Sequence, residues 1–193
     1  MDVTESSRAR RLRAGTGDMH ERLDRRINAA SAFDSVPAYG RFVQMQWVFH
    51  AEIAPLYADP ALQAALPGLA ARQRLAMVAN DMVDLDLAPT VEPKARFTAG
   101  RIDPAEGLGW LYVAEGSNMG AALLRKAVAR LGLSDNHGGR HLAPATEGPA
   151  AQWRTFTTAL DAAALGDTGE ERALQGARAA FSRVERLAEL HLA

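Results

Sequence analysis

The sequence predicts an all-α fold, and three observations support that prediction. Apolar residues recur at three- to four-residue spacing along most of the 193-residue chain, which is the pattern of amphipathic helices. No segment alternates β-branched and polar residues over the length of a strand, and no repeat or heptad persists. Proline and glycine interrupt the apolar pattern at intervals typical of helices. We expect about seven or eight helices.

Length and composition predict one domain. A chain of 193 residues, 48% of them hydrophobic, has the size and apolar content of a single domain with a single core. We therefore expect one domain over residues 1–193, with residues 1–7 as a flexible N-terminus.

The first helix is predicted over residues 7–29. Its apolar stripe consists of Leu12, Met19, Leu23 and Ile27. Seven arginines lie between positions 8 and 26, with Asp18, Glu21 and Asp24 interleaved among them. That mixture is typical of a solvated helix face rather than of a transit peptide.

A second helix follows the turn at 34–37, whose final proline suits a first helical turn. Its broad stripe, which predicts a central position, consists of Tyr39, Phe42, Val43, Gln46, Trp47, His50, Ile53 and Leu56. Asp59 and Pro60 predict the start of a short helix that ends at 67–68. Another helix is predicted through 75–85.

The second half of the chain predicts three further helices. The region 103–130 opens with an Asp-Pro pair, which is an N-cap followed by a first-turn proline. Glycines at 132–140 mark the next connection. Aromatic and apolar residues at 153–160 predict a helix, and a last helix is predicted over 174–192.

Composition also excludes several classes of protein. The 22 basic and 23 acidic side chains leave a formal net charge of −1, which does not indicate binding to nucleic acid or to an anionic membrane. The absence of cysteine excludes disulfides, thiolate metal sites and a cysteine nucleophile. The N-terminus lacks the apolar core of a signal peptide, and no stretch approaches the length of a membrane span. We expect a cytoplasmic protein.

Gly116 and Gly120 lie in the middle of the predicted helix at 103–130. Each costs about 1 kcal/mol relative to alanine in a helix interior, and their four-residue spacing places them on one face. Two explanations are open. The glycines allow another helix to cross closely, or they leave a bare strip of backbone for a planar ligand.

His20 lies at the edge of the apolar stripe of the first helix, where an imidazole is able to bind iron axially. Asp24, one turn later, is placed to accept a hydrogen bond from the other ring nitrogen and so to fix the tautomer. The alternative is an ordinary side-chain pair on a helix surface. We expect His50 in the core, and His137 and His191 at the surface.

An acidic cluster, Asp81, Asp84 and Asp86, predicts a solvated helix end, because no Glu-x-x-His repeat accompanies it. The same absence disfavours a di-iron oxidase. The absence of cysteine disfavours a thiamin-salvage hydrolase of similar helical architecture.

Several motifs together resemble the bacterial haem oxygenases of iron-acquiring pathogens. They are Leu-Arg at 12–13 with Thr16 and His20-Glu21, Tyr-Val-Ala-Glu-Gly-Ser-Asn-Met-Gly-Ala-Ala at 112–122, Leu-Gly-Leu at 131–133, and Gly-Arg-His-Leu at 139–142. The Glu-Gly-Ser-Asn-x-Gly-Ala-Ala segment, in register with an upstream histidine, is the most specific of them. The resemblance implies a helical bundle that holds haem b between a proximal N-terminal helix and a glycine-kinked distal helix.

The resemblance assigns roles to the matching residues. It implies that His20 is the proximal iron ligand and that the helix around Gly116 and Gly120 is the distal wall. Ser117 and Asn118 are expected in the distal pocket, where the family keeps an ordered-water network.

Other matching positions lie around that network and at the pocket mouth. His141 is expected to support the network, with Trp153 and Arg154 in the same neighbourhood. Tyr112 and Arg13 match positions that contact the haem propionates. The family often has lysine at the second of these, so the arginine leaves the seating of the porphyrin open.

The implied activity is oxidative cleavage of haem, which serves as both substrate and prosthetic group. It requires O2 and electrons from an external reductase or ferredoxin, and it yields biliverdin, CO and ferrous iron for haem-iron utilisation. The usual seating, held by Arg13 and Tyr112, predicts mainly the α isomer. We expect a monomer. A non-catalytic haem carrier or sensor is the alternative, because it needs the same anchor and wall but no reductase.

Overall fold

The computed structural model describes residues 7–90 and 92–193. The seven α-helices of this part of the chain are α1 (Arg8–Ala29), α2 (Val36–Ala58), α3 (Pro60–Ala65), α4 (Leu75–Asp84), α5 (Pro104–Ala129), α6 (Pro149–Ala162) and α7 (Asp167–His191). Two 3₁₀ turns occupy Leu69–Arg72 and Arg140–Leu142. The described residues form no strand beyond isolated bridges near residue 134. The all-α prediction is therefore confirmed.

Helix starts follow the capping residues of the sequence. Ser7 Oγ accepts a hydrogen bond from the N–H of Arg10 at 3.3 Å, so it caps α1. Asp59 Oδ1 accepts from the N–H of Leu62 at 3.1 Å and begins α3, and Asp103 caps α5 in the same way. Of the predicted flexible segment 1–7, only this capping serine lies among the described residues.

Helix α7 begins at Asp167, well before the expected start at Leu174. Its first turns carry acidic residues, which favour a helix N-terminus, but the residues that they bury are Gly169 and Ala173. Such small residues do not produce a visible apolar stripe, which explains the error.

The two long helices α5 and α7 cross with their backbones in contact. A Cβ atom built on Gly109 would overlap the backbone carbonyl oxygen of Ala173, and one built on Gly176 would overlap that of Glu106. These are glycines of a close helix crossing. The sequence interpretation considered that role only for Gly116 and Gly120, and it missed this pair.

The core lies between α5, α7 and α2. Its fully buried large side chains include Trp110 on α5, Tyr39 and Ile53 on α2, and Phe156 on α6. Thirteen residues of α2 are buried, as its broad apolar stripe predicts. Within the described residues no helix has both the length and the apolar content needed to cross a bilayer.

Arg8 does not belong to a solvated face, so the interpretation of the arginines of α1 is wrong at this position. Arg8 is 4% exposed and donates hydrogen bonds to the carbonyl oxygens of Leu160 and Ala163 and to Glu170. It thereby fixes the start of α1 to the end of α6 and the start of α7. Its position four residues before Leu12, on the apolar stripe, was the signal.

The histidines follow the prediction with one exception. His50 is buried and the side chain of His137 is 58% exposed, as expected. His191 is buried rather than exposed. It follows Val184 and Leu187 on the buried face of α7, so helical spacing places it inside.

Candidate functional site

His20 presents an accessible imidazole on α1. Its side chain is 63% exposed, and its Nδ1 lies 3.2 Å from Asp24 Oδ2 one turn later. The ring packs edge-on against Phe181 of α7, with centroids 5.9 Å apart. Because Asp24 engages Nδ1, the tautomer that places a hydrogen there leaves the lone pair of Nε2 free for a metal ion.

The glycine face of α5 is open. Among residues 7–90 and 92–193, a Cβ atom on Gly120 would meet nothing within 4 Å, and one on Gly116 would make only ordinary contact with the Trp153 ring, at 3.6 Å. Close helix crossing therefore does not explain Gly120, and the planar-ligand explanation gains support. Helix α5 runs without interruption through both glycines, and the predicted kink stays a prediction.

Tyr112 lies one turn before Gly116 on α5. Its ring is tilted against Trp153 with centroids 5.7 Å apart, and Trp153 stacks on Phe156. Burial raises the pKa of Tyr112, and the positive charge of Arg13 opposes that rise. The charge of Arg13 on α1 therefore acts on the Tyr112 hydroxyl of α5. The predicted contact of both residues with the haem propionates stays a prediction.

Ser117 and Asn118, which follow Gly116 on α5, have different surroundings. Ser117 is exposed, and its hydroxyl donates to the carbonyl oxygen of Ala114 at 2.7 Å. Asn118 lines a small cavity of about 140 Å³, together with Arg74 and Gln152. That volume is too small for a porphyrin, so this cavity is not the predicted haem site. The distal roles of both residues stay predictions, as does that of the exposed Arg154.

His141 is held by Asp81 in the interior. Its Nδ1 lies 2.6 Å from Asp81 Oδ2, and its backbone N–H donates to the same oxygen at 2.9 Å. The Nε2 atom is buried with no hydrogen-bond partner among the described protein atoms. The Asp81 carboxylate therefore orients the ring and leaves Nε2 without a protein partner among the described residues.

The prediction of a solvated acidic helix end is therefore wrong for Asp81, which is fully buried. Asp84 pairs with Arg140 at 2.8 Å and only Asp86 is exposed. The missed signal was helical spacing, because Asp81 follows Val78 by three residues and precedes Leu85 by four. An acidic residue on the apolar stripe of a helix is buried, and a buried carboxylate requires a hydrogen-bonding partner.

Arg74 and His50 complete this interior cluster. Arg74 donates to the carbonyl oxygens of His141 and Ala143, at 2.5 and 2.9 Å. Burial, together with the nearby His141 and Arg74, lowers the pKa of His50 to about 3. The Nδ1 atom of His50 and Nε of Arg74 have no hydrogen-bond partner within the described part of the chain. Buried polar atoms of this kind are usually satisfied by ordered water.

A second buried group, which the sequence interpretation missed, adjoins the glycine face. Glu115 accepts hydrogen bonds from Tyr57 at 3.1 Å and from Arg72 at 3.0 Å. Burial raises the pKa of Glu115, and the Arg72 charge opposes that rise. The signal was again spacing, since Glu115 lies four residues after Leu111 on α5.

These residues fit an iron porphyrin. His20 offers an exposed nitrogen donor, Gly120 leaves backbone uncovered, and Arg13 supplies positive charge near Tyr112. A planar ligand with an axial coordination site and carboxylate substituents matches that set.

Comparisons with known proteins agree with this chemistry. The family model described as Heme oxygenase matches residues 6–189. The chain is 38% identical over 185 residues to Heme oxygenase PigA of Pseudomonas aeruginosa, covering 96% of this chain and 93% of that protein. It also superimposes on the NO- and CO-bound haem oxygenase from Neisseria meningitidis with a TM-score of 0.88 and 35% identity, covering 97% and 92% of the two chains. The chain therefore belongs to the haem oxygenase family of enzymes.

Proposed function

We propose that this chain binds haem between α1 and α5 as a single domain and cleaves the ring oxidatively. His20 Nε2 is the iron ligand, and the backbone at Gly116 and Gly120 forms the opposite wall. The observation that carries this proposal is the exposed His20 imidazole with Asp24 at its Nδ1. Family membership favours this activity over the carrier or sensor that the sequence left open.

Haem, as substrate, supplies both the iron at which O2 is activated and the meso carbon that is oxidised. Asp24 holds the His20 ring in one tautomer and orientation, and a neutral imidazole lacks the electron release by which a thiolate promotes O–O cleavage. The bare backbone at Gly116 and Gly120 limits the directions open to a small ligand above the ring. The position of this backbone therefore determines which meso carbon is oxidised.

Proton supply is assigned to the buried polar groups around His141. Asp81 orients the His141 ring with its Nε2 atom free of protein partners among the described residues, and Arg74 and His50 offer further buried atoms of this kind. Water bound among them is able to pass protons towards Ser117 and Asn118 on α5. No strong acid takes part, because Glu115 is already engaged by Tyr57 and Arg72.

The product is proposed to be mainly the α isomer of biliverdin, released with CO and ferrous iron. Arg13 and Tyr112 each offer a hydrogen bond to a propionate, and bonds to charged acceptors contribute about 1.5 to 3 kcal/mol. That energy is enough to favour one in-plane orientation of the ring. The proximity of Arg13 to Tyr112 supports a joint tether.

The remaining assignments extend the same proposal. Electrons come from a separate reductase or ferredoxin, as the resemblance to bacterial haem oxygenases implies. The enzyme works as a cytoplasmic monomer and supplies iron from haem.

Aerobic turnover of the purified chain tests the proposal. Hemin is added, then ascorbate, and the absorption spectrum is followed. We expect the Soret band to disappear while a biliverdin band grows. A haem complex that survives reductant and air unchanged would establish the carrier instead.

A further inference from the structure

Arg72 joins the two helices that border the glycine face. It ends the 3₁₀ turn Leu69–Arg72, and its side chain is only 10% exposed. One guanidinium nitrogen donates to Glu115 of α5 at 3.0 Å, and the other donates to the carbonyl oxygen of Gln152 of α6 at 3.3 Å. The guanidinium carbon also lies 5.8 Å from the ring centroid of Phe156 on α6.

These contacts lie next to the point where the Trp153 ring of α6 approaches Gly116 of α5. Glu115 immediately precedes Gly116, and Gln152 immediately precedes Trp153. A Cβ atom on Gly116 would lie 3.6 Å from the Trp153 ring. The two hydrogen bonds of the Arg72 guanidinium, called here the Arg72 fork, therefore fix the spacing of α5 and α6. They do so next to the point where Trp153 faces the bare backbone at Gly116.

The Arg72 fork pairs the positive charge of Arg72 with the negative charge of Glu115 in a largely buried environment. Glu115 is 3% exposed, and its other carboxylate oxygen accepts from Tyr57 of α2 at 3.1 Å. It is the only acidic residue among positions 107–129 of the sequence. A planar guanidinium engages two acceptors in fixed geometry, which a lysine ammonium does not reproduce.

We propose that Arg72 is a positioning residue for haem oxidation, which fixes the distal segment of α5 against α6 at the contact between Gly116 and Trp153. This inference rests on the proposed function, because the distal role of Gly116 belongs to it. Arg72 acts through Glu115 and Gln152 and touches no reacting atom. It selects the isomer by holding the wall in one place.

Two readouts on the purified full chain test the proposal. Hydrogen–deuterium exchange of residues 116–122, measured without haem, reports on the anchoring of α5. The ratio of biliverdin isomers, measured after turnover of hemin, reports on the wall. We expect Arg72→Met to raise exchange about tenfold in this segment and to turn one main isomer into a mixture. Arg72→Lys restores the charge without the fork, and we expect it to rescue both readouts only in part.

A matched control comes from a second, partly buried ion pair. Arg183 of α7 makes a two-point ion pair with Glu52 of α2. Arg183→Met loses a similar interaction, and we expect it to leave the α5 exchange and the isomer ratio at wild-type values. Glu115→Gln preserves the shape of the acceptor if Arg72→Met folds poorly, and we expect it to shift both readouts in the same direction.

Exchange in the Arg72 and Glu115 variants equal to that of Arg183→Met would overturn the proposal, and so would an unchanged isomer ratio. Exchange without haem does not depend on the proposed function. A wild-type chain that forms no biliverdin would refute the proposed function. The exchange data would still report whether Arg72 anchors α5.

Discussion

The iron ligand proposed here depends on a single side chain, His20. The other histidines are buried, as His50, His141 and His191 are, or lie on the 132–140 connection, as His137 does. We therefore expect His20→Ala to lose the spectrum of histidine-ligated haem and nearly all turnover, and we expect added imidazole to restore part of both.

His137→Ala is the control, because it removes an exposed histidine of another segment. Absorption spectra of the hemin complexes compare the two variants directly. A wild-type spectrum and rate for His20→Ala would mean that another group holds the iron.

The isomer of biliverdin is also decided by individual side chains. Arg13 is exposed and Tyr112 is half-buried beside Trp153, so both are replaceable without opening the core. We expect the double variant Arg13→Ala, Tyr112→Phe to give a mixture of isomers where the wild type gives mainly α. Chromatography of the product measures the ratio. Retention of α alone would show that apolar contacts orient the ring, and a mainly β or δ product from wild type would refute the tether argument.

At the scale of one helix, α5 carries glycines of two kinds. Gly109 touches the backbone of α7, whereas Gly120 faces open space. We expect Gly109→Ala to lower the free energy of unfolding by about 1 to 3 kcal/mol, since overpacking forces the helices apart. We expect Gly120→Ala to raise it by up to about 1 kcal/mol, because alanine is the better helix former.

Haem binding and turnover are expected to be sensitive at Gly120, where stability is not. Gly120→Leu projects a side chain over the proposed wall, so it is expected to weaken haem binding or stall turnover while thermal unfolding stays near wild type. Calorimetry and the hemin assay measure the two effects. Normal turnover in both Gly116→Leu and Gly120→Leu would show that the backbone at these positions is not the distal wall.

Helices whose ends carry side-chain caps were predictable from sequence. Ser7, Asp59 and Asp103 mark starts that the structure confirms. The start of α7 was missed, because its buried face there consists of Gly169 and Ala173. Small residues bury backbone rather than side-chain area, so apolar periodicity does not reveal them.

Partners of charged residues were the least predictable part of the candidate site. The sequence identified the pair His20 and Asp24 and the pair Gly116 and Gly120 as candidates, because the members of each pair lie four residues apart. It did not locate Asp81 with His141, or Arg72 with Glu115, because each pair joins segments more than 40 residues apart. Spacing on a stripe reveals that an acid is buried, but only the packed fold reveals the group that neutralises it.

At the scale of the whole molecule, buried His50 makes stability depend on pH. Its pKa is lowered from 6.5 to about 3, chiefly by burial, with the nearby His141 and Arg74 adding to the effect. The folded state therefore keeps the ring neutral while the unfolded chain binds a proton below pH 6.5. Stability is fully present above that pH and is lost as pH falls towards 3, by about 1.4 kcal/mol per pH unit.

We expect His50→Gln to flatten this dependence between pH 6.5 and 4, and chemical denaturation at several pH values measures it. His137→Gln is the matched control, since the side chain of His137 is 58% exposed. Equal slopes for wild type and His50→Gln would show that other groups cause the acid sensitivity.

The crossing of α5 and α7 at Gly109 and Gly176 bears on both sides of the proposed haem cleft. Helix α7 touches the backbone of α5 and also carries Phe181 against the His20 ring. Both proposed walls therefore contact α7. The α5 wall does so through backbone atoms, and the α1 wall does so through the His20 and Phe181 rings. A substitution that separated α5 from α7 would therefore move one proposed wall relative to the other.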